Sequence, residues 1–291
     1  MDNKPKAEAQ VVRVAELAMK LGGRHLADYG ATTSRKDFTQ RQLMTCLILR
    51  AYLKTTYRGL LDILEVSPRL REAMGLSDKL PHYTTLQKFS ARSKVLEIAD
   101  LLIQKIGLAS WRTQRDQSTA AMDATGLETT TASAHFQCRR GGQRRKWVKL
   151  STIVLCGSLL PLSMVIDMGP NNDKCQAQEL IEKAQASGMP DKVYADAGYD
   201  AEWVHVQCRE EWGVESVIKP AVHRADGQLG GLWRSGMTEK YLKRKGYSKR
   251  WAVETFFSGL KRTMGATLSS RSPKQLLHEA AFKVLAYTLR R

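Results

Sequence analysis

A chain of 291 residues with 43% hydrophobic content can bury a substantial core as one large domain or two ordinary ones. Its 46 Lys and Arg against 29 Asp and Glu leave a net charge of +17, and the excess is +8 up to Asp116 and +9 from Gln117 onward, so it is not confined to one basic tail. No apolar run approaches about 18 residues, Met1-Asp2-Asn3-Lys4 lacks an apolar signal core, and Cys46, Cys138, Cys156, Cys175 and Cys208 show no metal-ligand spacing, which argues against a membrane-spanning chain and a structural zinc site and for reduced, mostly buried thiols.

The expectation is therefore a cytoplasmic protein that binds a polyanion along an extended path. In chain order, Val11 to Leu21 predicts an amphipathic helix stopped by Gly22-Gly23. Thr39 is placed to cap a helix reaching Leu53, and Tyr57 to Leu64 predicts a second, short one. Pro68 and Pro81 interrupt the next stretch, and Thr84-Thr85-Leu86-Gln87 matches a capping box that would open a helix carrying Lys88 and Arg92. Several short basic helices suggest an all-helical, helix-turn-helix-like DNA-binding region over 1–117.

Beyond residue 117 the pattern changes to short strands alternating with helices. Ala120 to Ala124 predicts a strand ending at Asp123, with a turn at Gly126. Val148–Leu155 and Leu159–Ile166, separated by Gly157-Ser158, predict a β-hairpin. Cys175 to Ala186 predicts a helix, Lys192 to Ala195 a strand leading to Asp196, Asp200 to Glu210 a helix and Val214 to Ile218 a further strand. The class is α/β, a mixed sheet with flanking helices, over 118–291. Asp123 and Asp196 both fall at predicted carboxyl ends of strands, the edge where open α/β sheets place their chemistry.

On one continuous helical wheel, Tyr247, Arg250, Glu254 and Lys261 share a stripe, while Val253, Phe256, Phe257, Leu260 and Met264 form a separate apolar face. Such a helix would pack on a core and present one acid among three phosphate-friendly side chains. Together with Asp123 and Asp196, Glu254 completes a set of three carboxylates. Hard oxygen donors of this kind suit Mg²⁺ or Mn²⁺, and three can hold two ions about 3.5–4 Å apart for an in-line phosphodiester displacement. Taken singly, each acid could equally cap a turn or decorate a solvated helix.

The residues around the acids carry a resemblance. Ala121-Met122-Asp123-Ala124-Thr125-Gly126-Leu127 resembles the first-aspartate motif of DDE transposases of the IS4/IS5 insertion-sequence type. Tyr194-Ala195-Asp196-Ala197-Gly198-Tyr199-Asp200 is similar to their second-aspartate motif, and Tyr247 to Lys261 matches their Tyr-Arg-Glu-Lys signature in order and spacing. The resemblance implies a ribonuclease-H-like catalytic fold, with Asp123, Asp196 and Glu254 as metal-binding triad and Tyr247, Arg250 and Lys261 as contacts to the terminal DNA strand. It also implies hydrolysis at the ends of an insertion sequence, then attack of the freed 3′-hydroxyl on target DNA. The short interval from Asp196 to Glu254 favours the compact IS5-like form. Two ends acted on together imply a homodimer on double-stranded DNA carrying terminal inverted repeats.

Two basic clusters extend the expected DNA path. Arg139, Arg140, Arg144, Arg145 and Lys146 precede the hairpin, with Trp147 as a core residue or a base-stacking platform. Lys243, Arg244, Lys245 and Lys249 lie just ahead of Glu254. Two competing readings are another ribonuclease-H-like nuclease or resolvase, which gives no reason for the Tyr-Arg-Glu-Lys spacing, and a non-catalytic DNA-binding descendant of a transposase, which predicts a damaged triad.

Overall fold

The computed structural model describes residues 9–33, 35–92, 94–113, 118–129, 147–221 and 229–291. The basic stretch Arg139, Arg140, Arg144, Arg145 and Lys146 lies outside the described residues. Two compact units are formed, Met1–Leu102 with Ala281–Arg291, and Ile103–Ala280.

The first unit is helical: α1 (Gln10–His25), α2 (Gln40–Tyr52), α3 (Tyr57–Glu65), α4 (Pro68–Ala73) and α5 (Tyr83–Ser90). Helix α1 runs through Gly22-Gly23 instead of stopping there. The reason is packing: a Cβ on Gly22 would stand 2.8 Å from the Arg41 Cβ, so the missing side chain lets α2 approach. Thr39 caps α2 as the sequence leads one to expect, and with Gln42 it makes a full capping box, which is not among the sequence-based expectations. Pro68 starts α4 from its first turn, where a missing N–H costs nothing. The expected capping box at Thr84 does not form; α5 begins at Tyr83, and the Thr84 hydroxyl meets His82 Nδ1 at 2.8 Å. The unit is closed by the chain's last residues, where the Gln10 side-chain amide donates to the Arg290 carbonyl at 3.1 Å.

Helix α6 (Lys94–Thr113) leads into the second unit, which is built on a five-stranded sheet. Its elements are β1 (Thr119–Glu128), β2 (Trp147–Leu155), β3 (Pro161–Gly169), α7 (Lys174–Gln185), β4 (Lys192–Ala195), α8 (Glu202–Val206, continued by a wide turn over Gln207–Glu211), β5 (Glu215–Ile218), α9 (Glu239–Arg244), α10 (Trp251–Met264) and the start of α11 (Pro273–Arg290), whose residues from Ala281 onward belong to the first unit. The strand order is β3-β2-β1-β4-β5, antiparallel across β3-β2-β1 and parallel across β1-β4-β5. This is a mixed α/β sheet of ribonuclease-H-like topology, with helices on its faces.

Strand alternation divides the buried side chains between two faces. Met122, Ile153, Val193 and Ala195 pack with Leu180 and Ile181 of α7 and Val204 of α8. Helix α10 covers β1 and β2 on the other face, and its Val253, Phe256, Phe257, Leu260 and Met264 are all buried, the apolar face read from the wheel. At about 1.5–3 kcal/mol per buried large side chain, that face anchors α10 firmly.

Strand β1 is longer than predicted. It passes through Asp123, opposite Thr152, and through Gly126, opposite Lys149. Trp147 lies against Gly126 and Gly169, so this ring packs on the sheet, where a side chain at either glycine would collide with it.

Candidate active site

Parallel pairing of β1 and β4 ends at Met122 and Ala195. One residue further, Asp123 and Asp196 leave neighbouring strands side by side. Asp123 is therefore not at the end of its own strand; it sits where the shorter β4 stops. There the Asp196 side chain caps a turn over Ala197–Tyr199, Oδ1 accepting from the Gly198 N–H at 2.8 Å.

The third acid arrives on α10, but not on one continuous helix. Gly246 adopts a left-handed backbone, φ 76°, which ends α9, and Tyr247–Arg250 form a separate tight turn before α10 starts at Trp251. A left-handed residue favours glycine because it has no Cβ. Tyr247 thus leaves the expected stripe. Its hydroxyl donates to the Ala195 carbonyl at 3.1 Å, and the Tyr194 hydroxyl donates to the Lys245 carbonyl at 2.9 Å. These two bonds lash the segment before α10 to the end of β4, and burial pushes the Tyr247 phenol up to about 12.

Arg250 joins the acids. Its Nη1 is 3.1 Å from Asp123 Oδ2 while its Nη2 pairs with Glu254 Oε1. Asp123 Oδ1 accepts from the Ala124 N–H at 2.7 Å. Burial pushes the Asp123 carboxyl up to about 6, with the charges of Asp196 and Asp173 adding to the rise and the Ala124 N–H and Arg250 opposing it. Desolvation disfavours the ionised form, and the neighbouring carboxylates act in the same direction.

The donor chemistry of Asp123, Asp196 and Glu254 fits a divalent cation: all three supply hard carboxylate oxygens. Among the described residues no three acidic, His or Cys side chains stand ready as a ligand set; the Arg250 guanidinium bridges Asp123 and Glu254 and supplies the positive charge there.

The remaining expected contacts divide. Lys243, Arg244 and Lys249 are exposed, whereas Lys245 is held by Glu215 at 2.6 Å. Lys261, on the last turn of α10, is partly exposed and makes no ion pair among the described residues.

Sequence reasoning gave no site role to two neighbours. Lys149, on β2, is 1% exposed and pairs with Asp173 at 2.7 Å. Tyr199 is fully buried, its phenol pushed up first by burial and then by Asp173, Asp123 and Asp196. A lysine inside the otherwise apolar run Trp147-Val148-Lys149-Leu150 was the available signal for the first.

A ribonuclease-H-like sheet with two aspartates at the end of its central parallel pair and a glutamate on the covering helix defines the class. Within it, the chain belongs to the transposase DDE domain family, whose profile matches residues 114–289. Membership makes it a transposase, a protein that works on DNA. No curated protein sequence matches it significantly. Among solved structures it is similar to a piggyBac transposase synaptic complex with hairpin DNA, at 10% identity and a TM-score of 0.48, covering 97% of this chain and 72% of that one. No described helix is long and apolar enough to cross a membrane.

Proposed function

We propose that this transposase cuts DNA at the ends of an insertion sequence of the compact IS5-like kind and joins the 3′-hydroxyl ends to target DNA. The observation that supports this best is that Asp123 and Asp196 leave the paired strands β1 and β4 side by side, while Arg250 bridges Asp123 to Glu254 of α10. Asp123, Asp196 and Glu254 would hold Mg²⁺ or Mn²⁺, two ions when the site is full. Bound there, such ions would activate the attacking oxygen and stabilise the leaving one.

The chain's own residues have separate tasks. Tyr247 fixes the end of β4 and with it Asp196, and the apolar face of α10 fixes Glu254. Arg250 neutralises the acids in the free protein and would turn to a DNA phosphate if cations took its place. Exposed Lys243, Arg244 and Lys249 give phosphate contacts beside the site, with Lys261 further along α10, and Arg139, Arg140, Arg144, Arg145 and Lys146 extend the path. The helical unit supplies further DNA binding, and the working form is a cytoplasmic homodimer on two terminal inverted repeats.

The test is cleavage of duplex DNA carrying the element's own ends, with Mg²⁺ or Mn²⁺. Asp123→Asn abolishes cutting and keeps end binding in a mobility-shift assay. Cutting by this variant at the parental rate would sink the assignment.

A further inference from the structure

Asp173 immediately precedes α7, where an aspartate's usual task is to cap the helix, yet its carboxylate caps nothing. Its Oδ1 is held instead by Lys149 Nζ at 2.7 Å, and that ammonium also donates to the Asn171 carbonyl at 2.9 Å. The other oxygen, Oδ2, lies over Gly198. A Cβ on Gly198 would stand 2.6 Å from Asp173 Oδ2 and 2.9 Å from Asp196 Oδ1. The two carboxylate oxygens can be no farther apart than the sum of those distances, and the missing side chain is what lets them face each other.

A buried lysine is an expensive brace. Removing an ammonium from water costs several kcal/mol, recovered only through good geometry with its partner, and a loop before a helix is held more cheaply by a capping side chain. The pair is also oriented: Lys149 takes Oδ1 of Asp173 and leaves Oδ2, the oxygen over Gly198 on the side of Asp196. Asp173 is only partly covered, 35% exposed at the side chain, so water reaches this position.

Resting on the reading of Asp196 as a cation ligand, we propose that Asp173 is a positioning residue for that cation, with Lys149 fixing its carboxylate so that Oδ2 takes hydrogen bonds from water on the ion. Partners of this kind orient ligands and water around a metal, and their loss weakens binding by about 10–100-fold.

The test is calorimetric titration of Mn²⁺ into the full chain without DNA, alongside Mn²⁺-dependent cleavage of end DNA. Four proteins are compared: the parent, Asp123→Asn, Asp173→Asn and the double variant Lys149→Met with Asp173→Asn. Asp173→Asn and the double variant each bind Mn²⁺ about tenfold more weakly, and their cleavage recovers as Mn²⁺ is raised. If Asp173→Asn alone fails to fold, the double variant decides, since it leaves no stranded ammonium. Parental Mn²⁺ affinity in the double variant overturns the inference and makes the pair a structural brace. Loss of affinity in Asp123→Asn with none in the Asp173 variants sinks only this inference; parental affinity in Asp123→Asn sinks the triad reading beneath it.

Discussion

Asp123→Asn has a consequence that does not depend on catalysis, because an acid held against its own ionisation destabilises the fold it serves. An exposed aspartate titrates near 3.8 and burial pushes Asp123 up to about 6. Below pH 3.8 the group is protonated in both folded and unfolded chains and weakens nothing. As pH rises from 3.8 to about 6 the unfolded chain ionises first, and stability is lost through that window; above it the deficit is constant. At about 1.4 kcal/mol for each tenfold change in proton activity, the deficit is about 3 kcal/mol. That figure is already net of the opposing Arg250 charge, so the amide removes the whole of it. The gain at pH 8 is about 3 kcal/mol, or roughly 6–12 °C in melting temperature for a unit of this size. Thermal unfolding in chelator, followed by circular dichroism at pH 8 and pH 4, measures it. The variant melts higher at pH 8 and no higher at pH 4. An unchanged or lower melting temperature at pH 8, or the same gain at both pH values, would refute the reasoning.

Other perturbations separate the roles of neighbouring groups. Arg250→Gln removes the guanidinium that bridges Asp123 and Glu254; without that competing charge the free protein binds Mn²⁺ about tenfold more tightly, since a charged hydrogen bond is worth about 1.5–3 kcal/mol, while end cleavage falls. Equal or weaker Mn²⁺ affinity by calorimetry would show that the arginine does not compete. Gly198→Ala places a Cβ 2.6 Å from Asp173 and 2.9 Å from Asp196; it raises the Mn²⁺ needed for half-maximal cleavage and lowers stability by about 1–3 kcal/mol, and a parental metal requirement would argue that the two acids act independently. Glu279 is 8% exposed and accepts from the backbone N–H and hydroxyl groups of Ser269 and Ser270. Glu279→Ala strands those donors and lowers stability by about 3 kcal/mol in urea denaturation, and a loss under about 1 kcal/mol would mean that water replaces the carboxylate.

What could be read from the sequence was what local pattern determines. The apolar face of α10, the bounds of β4 at Lys192–Ala195 and the helix α7 follow from periodicity within a dozen residues, and the structure keeps them. What escaped depends on partners far along the chain. Strand β1 does not stop at Asp123, because β2 supplies a pairing partner as far as Glu128 opposite Trp147, which no property of Ala124 or Gly126 announces. Tyr247 leaves the stripe because Gly246 breaks the helix and Ala195 offers its carbonyl to the hydroxyl, whereas a wheel drawn through 247–261 assumes an unbroken axis.

The charge arrangement of the site shows the same limit more sharply. Arg250 and Glu254, four residues apart, form the pair that helical spacing suggests. From that spacing alone the arginine would be half of a surface ion pair worth a few tenths of a kcal/mol. Its second partner, Asp123, is 127 positions away and is brought up only when β1 lies under α10. That contact turns a helix-surface pair into a bridge across two candidate ligands. The residue types of the site are thus legible one motif at a time, but the group that the proposed cation would have to displace becomes visible only where the motifs meet.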